Sequence, residues 1–222
     1  MAQKEYLRRN KATYDRLAKL SDTYTAKYAY FYPRLLRPFE DVVSKRFGKG
    51  ARVIDLGCGV GLAMRILSDN GFSTYGIDFS PKRVRLARKN SPSSKVLTGN
   101  FLTKRSDVRF HGIMMISSFH LFPTSDVPLV LERLRELLLP GGYCLISIGS
   151  NTLPRGKEHD EGYFPKTSAP NAVRFMTRYT ERGFRNAFKN LEWGEATKFY
   201  KMVERRHLNE TWMCVIIRKY HY

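Results

Sequence analysis

Val53-Ile54-Asp55-Leu56-Gly57-Cys58-Gly59-Val60-Gly61 decides the fold. A short apolar strand ends in a turn with glycine at every second position. The pattern from Leu62 to Asn70 is then helical and stops at Gly71. Working outward, Ser73 to Asp78 reads as a second strand. Ser80-Pro81 opens a helix that runs to about Lys89, with Ser as cap and Pro in the first turn. Lys95 to Thr98 is a third strand. Gly112 to Ser118 is a fourth, apolar enough to lie inside a parallel sheet. Val127 to Leu138 is a helix ending at Pro140-Gly141-Gly142, and Tyr143 to Ile148 is a fifth strand. This alternation predicts an α/β fold, a parallel sheet with right-handed crossovers.

The flanks are less regular. Residues 3–20 carry Tyr6, Leu7, Tyr14, Leu17 and Ala18 at helical spacing. Tyr24, Tyr28, Tyr30, Phe31 and Tyr32 form an aromatic stretch, which suits core packing better than a stacking platform. Leu35 to Phe47 reads as an amphipathic helix stopped by Gly48. Residues 149–172 are rich in Gly, Pro, Asn and charge and are expected to be an irregular loop, long enough to suggest function. Thr180 to Lys189 reads as a helix capped by Thr180. Residues 195–203 and 211–218 read as an antiparallel pair on one edge of the sheet. There is no internal repeat.

The glycine turn is a ligand site in physical terms. Glycines allow a tight turn and close backbone approach to a ligand. The helix that follows offers its N-terminus. An acid ending the second strand, here Asp78, can accept hydrogen bonds from ribose hydroxyls. A nicotinamide dinucleotide is the rival ligand, but its fingerprint is Gly-x-Gly-x-x-Gly. The order here is Gly57-x-Gly59-x-Gly61, preceded by Asp55 at the strand end. That acid suits a cationic amino group rather than a pyrophosphate, and S-adenosylmethionine fits better.

With these residues in view, the chain resembles the class I SAM-dependent methyltransferases over roughly residues 14–219. The run from Val53 to Gly61 looks like their first motif, and Gly76-Ile77-Asp78-Phe79-Ser80 like the ribose-binding second motif. Leu139-Pro140-Gly141-Gly142 looks like the turn before the fifth strand, and Trp212 to Lys219 like the last strand of small-molecule members. The resemblance implies a Rossmann-like, seven-stranded sheet, parallel except for one reversed edge strand, with helices on both faces. It implies an N-terminal helical cap over residues 1–50, a SAM-binding domain over 51–222 and a substrate lid over 150–180. It also implies S-adenosylmethionine as cofactor and S-adenosylhomocysteine as product. By the same resemblance Asp55 would hold the methionine end. Gly57, Cys58, Gly59 and Gly61 would form the cofactor turn. Asp78 would take the ribose hydroxyls, Phe79 would pack on the adenine, Phe101 would join the cofactor-binding residues, and the backbone of Ser117 would lie beside the methionine portion. Tyr14, in Tyr14-Asp15-Arg16-Leu17-Ala18 with Tyr24 and Tyr28, resembles the cap that closes over the cofactor. It is either a cofactor contact near the sulfonium or core packing.

Two positions depart from the family pattern. Asn100 stands where an Asp usually accepts from the adenine amino group; its side-chain carbonyl can still accept. His111 stands where an acid usually opens the fourth strand. For catalysis, methyl transfer from a sulfonium is a displacement that needs alignment and dryness more than acid or base. His120 is the base candidate; a structural role is the alternative. His159, Asp160, Glu161, Tyr163, Arg178 and Tyr179 are candidate acceptor contacts or ordinary loop residues.

Composition bounds the remaining choices. With 222 residues and 42% apolar content, one core burying roughly 70% of the unfolded surface is expected. No run is long and apolar enough to span a membrane, and no secretory leader is expected at Met1-Ala2-Gln3-Lys4-Glu5, so a cytoplasmic protein is expected. Cys58, Cys144 and Cys214 are far apart in apolar runs and read as buried thiols; no metal site is expected. The net charge is +19, and it is spread evenly along the chain. Residues 1–50 hold twelve cations against five anions, 51–150 thirteen against seven, and 151–222 fourteen against eight. The first expectation is methyl transfer to oxygen or nitrogen of a small molecule. The absence of an Asn/Asp-Pro-Pro-Tyr-like motif after the fourth strand favours it. The charge keeps RNA, or a protein bound to RNA, as an alternative acceptor and nucleic acid as a partner. A non-catalytic binding module is the third reading. Oligomeric state is not legible.

Overall fold

The computed structural model describes residues 4–20, 25–26, 28–166, 169–204 and 210–221. Helix α1 (Glu5–Leu17) runs into a 3-10 turn (Ala18–Leu20), and α2 (Tyr32–Phe47) follows. Then come β1 (Arg52–Leu56), α3 (Leu62–Asp69), β2 (Ser73–Asp78), α4 (Pro81–Asn90), β3 (Lys95–Thr98) and β4 (Phe110–Ile116). Helix α5 (Val127–Leu137), β5 (Leu138–Gly149), β6 (His159–Lys166) and β7 (Ala169–Tyr179) precede α6 (Glu181–Asn186), β8 (Gly194–Glu204) and β9 (Glu210–Lys219). Tyr24 of the expected aromatic stretch lies outside the described residues.

Seven strands form one sheet in the order β3-β2-β1-β4-β5-β9-β8. β1 pairs in parallel with β2 and β4, and the order turns away from β1 on both sides. A ligand crevice is expected at such a switch point. β9 is antiparallel to both β5 and β8, so the reversed strand lies one place in from the edge, which β8 occupies. This corrects the expectation of a reversed edge strand. The physical reason is in β9: Trp212, Met213, Cys214, Val215, Ile216 and Ile217 are all buried, and such a strand needs a neighbour on each side.

The aromatic and aliphatic face of α2 (Tyr32, Leu35, Leu36, Phe39, Val43) packs on one side of the sheet together with α3. Tyr28 and Phe31 close on Trp212, with ring centroids 6.0 and 5.5 Å away, so Tyr28, Phe31 and Tyr32 are core, with Tyr30 half-buried against them. The other side, under α5 and α6, is filled by Phe110, Phe119, Val130, Leu134 and Phe184. The cap expected over residues 1–50 is therefore two things. α2 belongs to the sheet layer, whereas α1 lies against β7.

Residues 149–172 are an irregular loop only in part: 150–158 form no helix or strand, but β6 and the start of β7 occupy described residues beyond them. β6 and β7 pair as an antiparallel hairpin forming a separate two-stranded sheet. Its alternation is masked in the sequence because charge, proline and glycine interrupt both strands, and what holds it comes from distant elements. The Asn10 side chain donates to the Phe175 carbonyl and accepts from its amide, 3.1 and 2.8 Å. Thr13 donates to the Val173 carbonyl. Glu161 accepts from the Thr124 amide and hydroxyl, and Thr177 donates to the Phe122 carbonyl. No described helix is long and apolar enough to cross a membrane.

Thr180 ties the hairpin to the body. Its hydroxyl accepts from the Gly183 amide as the α6 cap and bonds back to the Glu158 carbonyl. Thr180→Ala should cost about 1 kcal/mol, the usual worth of an N-cap. Urea unfolding read by circular dichroism checks this; an unchanged midpoint would mean that the cap adds nothing here.

Candidate functional site

The carboxyl ends of β1, β2 and β4 meet at one cleft of about 630 Å3, its open mouth included. Gly57 opens it with φ of +87°, a conformation that favours glycine. A Cβ at Gly57 would come within 2.7 Å of the Ser118 Cβ. The amides of Gly57 and Cys58 both donate to the Ile77 carbonyl, at 2.8 and 3.1 Å, folding the turn back onto β2. Ser118 donates its hydroxyl to the Leu56 carbonyl at 2.7 Å and so locks the end of β4 to the end of β1.

Asp78 is buried at the end of β2 and lines the cleft. One carboxylate oxygen accepts from the Gly59 amide and the other from the Ser80 amide, both at 2.9 Å. Each oxygen keeps a second acceptor site for a hydroxyl. Burial raises its pKa, while the Arg83 guanidinium and the two amides pull the other way.

Asp55 stands differently. It is buried and is not on the cleft wall, and among the described residues its Oδ1 has no hydrogen-bond partner. Burial first, and the charge of Asp78 second, push its pKa up to about 8. A buried acceptor left without a donor is costly, so this oxygen calls for a donor, and a cationic one suits it best.

The other expected cofactor residues divide. Tyr14, Gly57, Phe79, Asn100, Phe101 and Ser117 line the cleft with Asp78. Ser117 holds φ of +54°, the one described residue other than glycine with a positive φ. Such strain is kept where surrounding contacts enforce it; here the Ser117 amide donates to the Ser147 carbonyl at 2.8 Å. Cys58, Gly59 and Gly61 do not line it. The Gly59 amide reaches the site through Asp78. The Cys58 side chain packs away from it with Met64, Val84, Ala87 and Val96. Gly61 lets α4 approach, since a Cβ there would meet Ala87 at 3.1 Å. Asn100 already accepts from the Leu102 amide, so the remaining lone pair of its side-chain carbonyl is what it can offer a base.

His120 is buried in the short 3-10 turn after Ser118 and is not on the cleft wall. The candidate acceptor residues of the hairpin make contacts within the chain. Asp160 and Arg178 form a cross-strand ion pair, and Arg178 lies over the Phe164 ring. Glu161 holds Thr124, Tyr163 lies under Arg9, and Tyr179 packs on Phe119. His111 takes the place of the strand-opening acid by accepting the Arg52 amide on Nδ1, 2.9 Å away.

Several contributors were not legible in the sequence, Leu121 and Phe122 of the lining among them. Ser118 is one. Arg83 is another: it is the cation of the cleft lining, 4.7 Å from the Tyr14 ring centroid and 3.3 Å from where a Cβ at Gly59 would sit. Leu7 and Asn10 are two more, brought to the wall by α1. Tyr14 itself is fixed by Phe79 edge-on and by Arg174, whose guanidinium donates to its hydroxyl at 2.9 Å. Asp15 accepts from Ser80 and ties α1 to the start of α4. None of these contacts follows from local spacing. Among the described residues no cluster of His, Cys, Asp and Glu could hold a metal, and all three cysteines are buried and free.

The raised pKa of Asp55 has a pH signature. Its proton is held more tightly in the folded chain than in the unfolded one, where the value is near 3.8. The resulting stability is complete below about pH 4 and is lost as pH rises to about 8. The melting temperature of Asp55→Asn should therefore fall less than that of the parent between about pH 5 and about pH 8. Equal falls in scanning calorimetry would assign the pH dependence to other groups.

Comparison with known proteins agrees with this geometry. A family model described as "Methyltransferase domain" matches residues 28–193. The ubiquinone biosynthesis O-methyltransferase of Chelativorans sp. strain BNC1 is 28% identical over 144 residues, 62% of this chain and 52% of that protein. The dTDP-3-amino-3,6-dideoxy-alpha-D-glucopyranose N,N-dimethyltransferase of Streptomyces fradiae is 26% identical over 117 residues, 52% of this chain and 46% of that one. The chain thus spans about half the length of the curated relatives it matches. A SAM-dependent methyltransferase structure from Methanosarcina mazei superposes with a TM-score of 0.65 at 15% identity, covering 82% of this chain and 98% of that one. The chain belongs to the class I SAM-dependent methyltransferases.

Proposed function

We propose that this member of the family transfers the methyl group of S-adenosylmethionine to an oxygen or nitrogen of a small molecule. One observation carries the reading: the cleft at the switch point has Gly57, Asp78, Ser117 and Asn100 on its wall and α1 across it. The residues fit the cofactor. The unpartnered Oδ1 of Asp55 behind the glycine turn suits its amino group, directly or through water. Asp78 would take the ribose hydroxyls, and Phe79, Asn100 and Phe101 the base. Arg83 favours the ionised form of Asp78, which makes it the better acceptor.

The bound cofactor supplies an electrophilic methyl group on a sulfonium. The chain's own part is to position and to keep dry. Leu7, Tyr14, Leu121 and Phe122 give the cleft an apolar wall, which excludes water and suits an apolar acceptor body. The Tyr14 ring favours a nearby positive charge. His120 is given no proton-transfer role in this reading, because a base must reach the proton it removes. The O- and N-methyltransferase names of the relatives support a small acceptor, and so does the cover of the cleft by α1, itself held by the β6–β7 hairpin.

Calorimetric titration with S-adenosylmethionine and S-adenosylhomocysteine should show one site for each. Asp78→Ala should weaken both by about a hundredfold or more, as two ribose hydrogen bonds to a charged group are lost. Its circular dichroism spectrum should stay that of the parent. No binding by the parent would favour the non-catalytic reading, and unchanged binding by Asp78→Ala would overturn the ribose assignment. Asn100→Asp should tighten both ligands by restoring a charged acceptor for the adenine amino group. Weaker binding would show that the amide donor is what the site uses.

A further inference from the structure

The positive charge is spread over the whole chain, but one stretch concentrates it. Between Phe79 and Arg109 the chain carries nine lysines and arginines against one acid, Asp107. These residues form α4, the edge strand β3 and the segment that returns to β4. α4 packs on β3, and Arg88 clamps the two by donating twice to the Val96 carbonyl. The returning segment is fixed beside α5 by Arg133, which donates to the carbonyls of Phe101 and Lys104. The whole stretch is thus one continuous flank at the β3 edge of the sheet.

Lys82, Arg85 and Lys89 recur at spacings of three and four along α4, which places them on one side of the helix. Lys95 on β3 and Lys104 and Arg105 beyond it continue the same flank. All six are exposed. Among the described residues none of the nine cations has a carboxylate within 4.0 Å, although ion pairs are frequent elsewhere on the molecule. Exposed Ser93, Thr98, Thr103 and Ser106 lie among them. Cations without acids, interleaved with hydroxyl groups, match the donors that position proteins on a phosphate backbone. The exposed apolar residues of the flank, Leu97 and Val108, belong to different segments, β3 and the return to β4. They give no helix with an apolar face to insert into lipid.

We propose that this flank binds the phosphate backbone of a nucleic acid, outside the methyl-transfer cleft. This is separate from the choice of methyl acceptor. The cleft wall at Asn100 borders the flank, so the bound strand runs past its mouth. Backbone binding of this kind is electrostatic, weakens steeply with salt and carries little sequence preference.

The test is fluorescence anisotropy of the full chain with a labelled single-stranded RNA of about 20 nucleotides, across a salt series. The flank variant combines Lys82→Gln, Arg85→Gln, Lys89→Gln and Arg105→Gln. The control variant removes the same charge elsewhere, through Arg34→Gln, Lys45→Gln, Lys189→Gln and Lys198→Gln. The parent should bind. The flank variant should bind at least about tenfold more weakly, and its log K against log salt should be flatter by roughly 3, about 0.7 per lost phosphate contact. The control should stay within about twofold of the parent. Melting temperature confirms that both variants fold, and it holds whether or not the cofactor reading stands. Equal loss in both variants would overturn the proposal in favour of overall charge. No binding by the parent would overturn it, and so would binding to phosphatidylserine vesicles but not to RNA.

Discussion

The Ile77 carbonyl is the knot of this structure. It accepts two amides, from Gly57 and Cys58, and so pulls the end of β1 across the end of β2. Ser118 closes the same knot from β4 by donating to the Leu56 carbonyl. Only glycine fits at position 57, because the backbone is left-handed there and the Ser118 Cβ fills the space a side chain would need. Three strand ends are thereby held within a few ångströms, and the cleft exists because they are. Asp78 then reaches the Gly59 amide, and Ser117 is held in its strained conformation one residue before Ser118.

The second layer of organisation is the cover. α1 has few apolar residues and would be marginal alone, as short helices in water are. It is held by side chains that bond to another element's backbone: Asn10 and Thr13 to β7, and Asp15 to Ser80 at the start of α4. Tyr6 and Lys4 both bond to the buried Asp126, which anchors the helix at its other end. Cover and cofactor wall are therefore mechanically joined, because Tyr14 sits between Phe79, Arg83 and Arg174.

Much of this was legible before the fold was in view. The five strands from Val53 to Ile148 and their helices lie close to where hydrophobic runs, glycine stops and the Ser80-Pro81 cap put them, since those signals act over a few residues. Asp78, Phe79, Asn100 and Ser117 were legible as wall residues because strand ends at a switch point all face the same crevice. The hairpin was not legible. Its stability comes from α1, Thr124 and Phe122, all far away in sequence. Cys58 and Gly61 sit in the motif but not on the cleft wall, because the turn directs the Cys58 side chain away from the cleft and sets Gly61 against Ala87. The hairpin residues named as candidate acceptor contacts make contacts that hold the hairpin.

The sequence by itself determined the order of strands and helices, the glycine turn and the acid after the second strand. Each of these is a local matter of period, capping and permitted φ. The tertiary structure alone decided which groups became neighbours. It set Ser118 against Gly57 and Arg83 against Tyr14, and it buried Asp55 close enough to Asp78 to raise its pKa. It also folded the basic run between Phe79 and Arg109 into one flank, by setting α4, the edge strand and the return segment side by side. Burial and contact between distant residues act through space, so neither can be read from spacing along the chain.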